Sequence, residues 1–298
     1  FSRCCGLLAL LAATMVFAAA PEPSAARPEV VVLRVDGAIS PASADYVVRG
    51  IARAEQMHAA AIVLELDTPG GLSSSMRDII KAILASPVPV VGYVAPSGAR
   101  AASAGTYIMY ASHIAAMAPA TNIGAATPVS LTGGGSVPLP SSSSGKAATP
   151  GNEGTEMRKA TNDAVAYIRS LAERRGRNAD WAEKAVRDAV SVSGGEAVRL
   201  HAVDLIAPDV PALLAAVDGR SVETSSGTQV LHTHGATLET ITPGVRSQFL
   251  GVIANPSIAY ILLLIGLGGL VMEGMHPGGV LPGVAGAICL LLALYAFQ

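Results

Sequence analysis

The sequence predicts an α/β domain on a mainly parallel sheet, followed by apolar segments long enough to cross a bilayer. Three observations predict it. Short β-branched runs alternate with stretches of helical spacing between Glu29 and Val217, the pattern of βαβ units. Turn residues such as Asp36-Gly37, Pro69-Gly70-Gly71 and Ser86-Pro87 punctuate them. Of 298 residues, 51% are hydrophobic and only 14% charged, and the mean hydropathy is +0.47. That is too apolar for a soluble domain alone.

The chain is read in order from its N-terminus. Arg3, the apolar run from Gly6 to Phe17 and the small residues Ala18-Ala19-Ala20 read as a secretory signal. Residues 1–27 are therefore expected to be a signal peptide outside the folded domain. The first residue is Phe1, so a start upstream is expected. Glu29 to Val35 is the first strand. Ala42 to His58 carries Ala44, Val47, Val48, Ile51, Ala52 and Ala54 at helical spacing. Ala61 to Leu66 is the second strand, Ser73 to Leu84 a helix, and Pro89 to Val94 the third strand. Ser103 to about Ala111 reads as a helix and His113 to Met117 as a fourth strand. Thr155 to Arg175 is helical, with Ala160, Ala164, Val165, Ile168, Leu171 and Ala172 on its apolar stripe. Ala179 to Ala189, Ser193 to Leu200 and Asp209 to Val217 are further helices. Val203 to Ile206 reads as a strand, and Glu223 to His232 as an edge hairpin. The domain is expected to span residues 28–245.

Residues 130–154 are rich in Gly, Ser and Pro and cannot bury enough to order themselves. They read as a flexible loop over an active site, or as a passive insertion. Residues 246–298 read as membrane segments. Ile258 to Met272 and Val280 to Phe297 are continuously apolar, and the short break between them implies a helical hairpin. Gly266, Gly268, Gly269, Gly283 and Gly286 permit close helix packing. Glu273 and His276 read as turn residues at the interface. Gln298 ends the chain beside an apolar run, so a truncated sequence is expected. The signal places the domain outside the cytoplasm, on the periplasmic side of a multi-pass membrane protein; Arg246 argues mildly against that side.

Composition excludes several functions. Net charge is −2, so no nucleic-acid partner is expected. The 3 cysteines are Cys4, Cys5 and Cys289, which leaves the domain without a thiol nucleophile or a Cys-based metal site. His232 and His234 lack a third ligand nearby and read as surface residues, so no metal and no cofactor is expected.

The chemistry concentrates at two strand ends. After the third strand comes Pro96-Ser97-Gly98-Ala99-Arg100-Ala101-Ala102-Ser103-Ala104-Gly105-Thr106-Tyr107. A serine at a helix start, after a turn of small residues, is a nucleophile placement, because the amides beyond it favour an anion. Ser103 is the candidate, with the Ala104 amide beside a developing oxyanion. Close helix–sheet packing is the plainer use of such small residues. One unit earlier, Gly70-Gly71 exposes backbone with no side chain in the way, and Gly71 is the second candidate donor; a plain type II turn is the alternative. In a parallel sheet both motifs lie past strand carboxyl ends, so they can meet in one crevice. Lys159 and Asn162 lie one turn apart near a helix start. The dipole there disfavours a charged amine, as a lysine base requires. A solvated pair of Lys159 with Asp163 at i,i+4 would instead keep it charged.

Asp67-Thr68-Pro69-Gly70-Gly71, the segment Ala95 to Tyr107, Lys159-Ala160-Thr161-Asn162 and Ala166 to Ala172 together resemble the NfeD family. These are membrane-bound serine proteases of the Clp-protease/crotonase-like class. The resemblance covers about Val30 to Gln298. It implies a repeated ββα/βαβ superhelix followed by a transmembrane helical hairpin. It implies a Ser–Lys dyad, with Ser103 as nucleophile, Lys159 as general base and Gly71 and Ala104 as oxyanion donors. It also implies a stomatin- or prohibitin-like membrane protein as substrate, cut in a hydrophobic stretch, and a homo-oligomer, at least a dimer. Full-length relatives carry further spans and a small OB-type barrel, which this sequence lacks. In that mechanism Lys159 must be uncharged, hence partly buried, and Asn162 could orient its amine. Two other readings compete: acyl-CoA chemistry on the same fold, and a non-proteolytic membrane scaffold.

Overall fold

The computed structural model describes residues 28–129, 153–244, 256–275 and 280–296. The signal (1–27), most of the expected loop (130–154), Arg246 and His276 lie outside the described residues.

Strand β1 (Glu29–Asp36) and strand β2 (Ala61–Asp67) are connected by helix α1 (Pro41–Gln56). Ser40 caps α1 by accepting the Ser43 N–H, and the Ser43 hydroxyl accepts the Ser40 N–H in return, which satisfies two amides the helix leaves unpaired. Helix α2 (Ser73–Ala85) leads to β3 (Val90–Val94), then β4 (Arg100–Ala102) and α3 (Ala104–Ala111). Strands β5 (Ile114–Met117) and β6 (Asn122–Gly124) precede α4 (Glu153–Arg175) and α5 (Ala179–Arg187). Then come β7 (Ser191–Ser193), α6 (Gly194–Arg199), β8 (Leu205–Ile206), α7 (Val210–Val217), β9 (Ser221–Thr224), β10 (Gly227–Val230) and β11 (Thr237–Ile241).

Six strands form one sheet in the order β11-β1-β2-β3-β5-β8, and every neighbouring pair is parallel. Its central strands are buried on both faces, as parallel strands are. One face, carrying Leu33, Leu64 and Val94, packs on α1, α2 and α3 through Val47, Ile80 and Met109. The other, carrying Val32, Val63 and Tyr93, packs on Leu213, Leu214 and Val217 of α7. All six carboxyl ends therefore point the same way, and the motifs after β2 and β3 emerge on that side.

The sequence-based elements match this order, with four exceptions. Strands β4, β6 and β7 form a small second sheet and are three residues each, too short to show a period. Strand β11 was not expected: Thr237-Leu238-Glu239-Thr240-Ile241 is half polar because it is the sheet's outer edge. The expected edge hairpin is a separate antiparallel pair, β9 with β10, and the sheet edges are β11 and β8. Asp204 lies just before β8 rather than within it.

Two apolar helices end the chain, α8 (Pro256–Met275) and α9 (Val280–Ala296). They pack against each other through glycines. A Cβ on Gly269 would lie 2.6 Å from the Pro282 carbonyl oxygen, and one on Gly286 2.9 Å from that of Gly266, the close backbone approach that small residues allow. Ile258–Met275 is long and apolar enough to cross a membrane, while Leu281–Leu294 is a shorter apolar stretch.

Candidate active site

Ser103 stands between β4 and α3 with φ 50° and ψ −114°. That is a strained backbone for a residue with a side chain, and such strain persists only where surroundings over-determine it. Three contacts do so. The Ser103 N–H donates to the Gly124 carbonyl at 3.1 Å. The buried Thr106 hydroxyl lies 2.9 Å from the Ala101 carbonyl oxygen and 3.1 Å from that of Gly124. Thr68 brackets β4, its N–H donating to Arg100 and its carbonyl accepting from Ala102. The serine is half-buried, and its hydroxyl has no hydrogen-bond partner among the described residues.

The loop after β2 closes onto this serine. A Cβ on Gly70 would lie 2.6 Å from Ser103 Cβ and 3.1 Å from its Oγ. Glycine is required there by proximity as well as by its φ of +117°. Gly71 forms a parallel bridge with Ile39 in which Ile39 bonds to Gly70 and Leu72. The Gly71 amide is thus left without an acceptor among the described residues, on an exposed residue. The Ala104 amide opens α3 and has no acceptor among the described residues, as expected for a first-turn N–H. The structure therefore brings Ser103 and the Gly70-Gly71 turn together, with two uncommitted amides nearby.

Lys159 is in a different state. Its side chain is 69% exposed, and Nζ pairs with Glu156 at 3.3 Å on the same helix. Among the described residues nothing covers the first turns of α4, so the partial burial expected of a lysine base is not seen among them. Asn162 does not orient Lys159 here: its Oδ1 accepts from Arg187 Nη1 at 3.1 Å. Asp163 does not pair with Lys159 either. It reaches Arg77 on α2 at 2.6 Å, a contact across 86 residues that local spacing could not disclose.

His113 lies at the opposite end of α3 from Ser103, beside the start of β3, and is structural. His113 is buried, and its Nδ1 accepts the Val90 N–H at 3.1 Å. Burial, reinforced by Arg175, Arg177 and Arg174, pushes its pKa down to about 3. A base so held cannot turn toward Ser103. Among the described residues no group of three or more His, Cys, Asp or Glu could hold a metal.

Residues 29–207 match the family described as NfeD1b, N-terminal domain, and residues 257–298 match the NfeD integral membrane domain. The membrane-bound protease PH1510 of Pyrococcus horikoshii is 36% identical over 279 residues, covering 92% of this chain and 59% of the relative. The chain thus spans under two thirds of that protein's length. Among solved structures, a lysine-to-alanine mutant of the 1510-N membrane-bound stomatin-specific protease, in complex with a substrate peptide, is 35% identical. It superposes with TM-score 0.65 over 76% of this chain and 98% of that one. A serine-to-alanine mutant of the same protease is 36% identical, with TM-score 0.62 over 74% and 100%.

Proposed function

The chain belongs to the NfeD family, and from that premise we propose that it is a membrane-anchored serine endopeptidase. The observation that carries the proposal is Ser103: a strained, half-buried serine set against Gly70 and beside the amides of Gly71 and Ala104, with no hydrogen-bond partner for the hydroxyl or either amide among the described residues. In this reading Ser103 Oγ attacks a peptide carbonyl. The oxyanion is held by the Gly71 and Ala104 amides, whose effect is large in a water-poor crevice. Lys159 takes the serine proton and passes it to the leaving amine, and water then hydrolyses the acyl-enzyme. Since Lys159 is exposed and paired with Glu156, the working state requires α4's first turn to be covered, by residues 130–154, by substrate or by a second copy. Asn162 would orient the amine in that state.

The parallel α/β sheet and the 35% identity to a stomatin-specific protease support a stomatin- or prohibitin-like membrane protein as substrate, cut in a hydrophobic segment. The proposed organisation is a leader at 1–27, a protease domain of the Clp-protease/crotonase-like superhelical class at 28–245, and membrane segments at 246–298. The domain would face the periplasmic side, α8 and α9 would form a transmembrane hairpin, and the molecule would assemble at least as a dimer. No cofactor enters the scheme.

The test is labelling by a fluorophosphonate probe together with hydrolysis of a fluorogenic peptide. Ser103→Ala is expected to abolish both. Lys159→Ala is expected to lower kcat by about 10²-fold or more, the range for loss of a general base. A Ser103→Ala protein that still cuts peptide would end the assignment, and a Lys159→Ala protein of unchanged rate would end the dyad. The exposed Lys159–Glu156 pair favours one second reading, a non-proteolytic docking module, which a wild-type protein that neither takes the label nor cuts peptide would support.

A further inference from the structure

Thr68 is fully buried between the Gly70-Gly71 turn and the serine. Its hydroxyl accepts the Gly70 N–H and donates to the Gly70 carbonyl, both at 3.1 Å. That carbonyl also accepts the Ile39 N–H at 2.8 Å. The Gly70 C=O and the Gly71 N–H belong to one peptide group. The group is planar and trans, so its C=O and N–H point in opposite directions. Holding the carbonyl inward, against Thr68 and Ile39, therefore turns the Gly71 N–H outward. Flanked by two glycines, this peptide has little steric resistance of its own to flipping. A flip would present a carbonyl where the oxyanion forms.

We infer that Thr68 is a positioning residue: its hydroxyl locks the Gly70–Gly71 peptide with the Gly71 N–H facing the site. The inference rests on the serine-peptidase reading above. Two further contacts place Thr68 at the join between the two halves of the site. Its backbone bonds to Arg100 and Ala102, immediately before Ser103. Its Cγ2 methyl fills the space over Gly105, where a Cβ would lie 2.7 Å from it. The hydroxyl and the methyl thus have separable roles, the first orienting the amide and the second packing the elbow.

Two variants separate them, measured on the purified full chain. Thr68→Val keeps shape and methyl but removes the hydroxyl. Its kcat on a fluorogenic peptide is expected to fall about 10- to 100-fold with little change in KM, as when an oxyanion donor is misaligned. Thr68→Ser keeps the hydroxyl; it should retain most of the wild-type kcat while melting at a lower temperature. A Thr68→Val protein with wild-type kcat, alongside an inactive Ser103→Ala protein, would overturn the lock and leave the peptidase reading intact. Should Thr68→Val fail to fold, a Thr68→Ser protein that loses kcat as heavily as expected for valine overturns it equally. If Ser103→Ala hydrolyses the peptide at the wild-type rate, the peptidase reading fails and the lock falls with it.

Discussion

His113 shows how much one residue's surroundings can decide. Its ring is packed at the C-terminal end of α3, where Arg175 Nε donates to the Ala111 carbonyl and Arg177 Nη1 to those of Met109, Tyr110 and Ser112. Arg177 also pairs with Asp204 at 2.7 Å, and Asp204 accepts the Ala115 N–H. The arginines satisfy carbonyls that the helix end leaves over. Their charge, with burial, holds the imidazole neutral, at a pKa of about 3 against an ordinary 6.5. The unfolded chain therefore binds a proton that the folded one refuses, over the window from about pH 6.5 down to about pH 3. Stability must fall as pH falls through that window and level off below it. Between pH 7 and pH 4 the contribution is roughly 3 kcal/mol. His113→Asn, whose side-chain oxygen can take the Val90 N–H and does not titrate, should lose that much less stability over the same interval. Urea unfolding at the two pH values measures it, and an unchanged interval would mean that the ring is not held neutral. The candidate site was legible at this scale where it is local. Ser103, Ala104, Gly70 and Gly71 are placed by turn chemistry and sheet polarity. The surroundings of Lys159 and His113 were not, because they depend on what packs over them from far along the chain.

Helices carry the pieces of the candidate site, and one cluster fixes three of them together. Arg77 on α2 reaches Asp163 on α4 at 2.6 Å, and its guanidinium lies 4.4 Å from the centre of the Tyr167 ring. Tyr167 stacks on Tyr107 of α3 at 6.2 Å between ring centres, and the Tyr107 hydroxyl donates to the Ala126 carbonyl. The helix after the Gly71 turn, the helix after Ser103 and the helix bearing Lys159 thus share one joint. Asp163 is 69% exposed, so the ion pair alone contributes little, about 0.2–1 kcal/mol. The ring contact adds about 0.5–1 kcal/mol. Arg77→Met should therefore destabilise by about 1 kcal/mol, Asp163→Asn by less than half of that, and Tyr167→Phe hardly at all. Chemical denaturation of the three variants checks the order, and an Asp163→Asn loss equal to that of Arg77→Met would make the charge pair, not the ring, the joint. Element recognition followed the same logic as residue recognition. The long β-branched strands and the striped helix α4 were readable from periodicity. Three-residue β4, β6 and β7 were not, although β4 and β6 hold Ser103 in place. Strand β11 was missed because an edge needs only half an apolar face.

At the scale of the whole molecule, the six-stranded sheet ends in an edge strand, β11, and the next described element is the apolar helix α8. Length and composition alone do not distinguish a membrane span from the core helix of a soluble protein. Burial does. Only 11% of the Ile258–Met275 window is buried, and Leu264 and Leu267 are 70% and 57% exposed, as are Leu281 and Leu291 of α9 at 85% and 67%. What the two helices cover is chiefly each other's glycine-lined seam, which is how helices associate where lipid solvates everything else. An outward surface of this kind in water would be an aggregation liability. In a bilayer each central Leu or Ile is favourable by about 0.3–0.6 kcal/mol, and the seam keeps the backbones close. The expectation is that the full chain floats with liposomes on a density gradient and resists extraction by high salt, since no charge attraction is involved. A protein of residues 28–244 should stay in the dense fraction and keep the melting temperature of the domain, because the sheet and both of its packed faces are complete by Ile241. A truncated protein that floats as well would place the anchor in the α/β domain instead. A Gly269→Leu full chain should still float, since apolar surface is only added. It should lose the α8–α9 contact, since its side chain would begin 2.6 Å from the Pro282 carbonyl oxygen, and paired cysteines across the seam would then no longer cross-link.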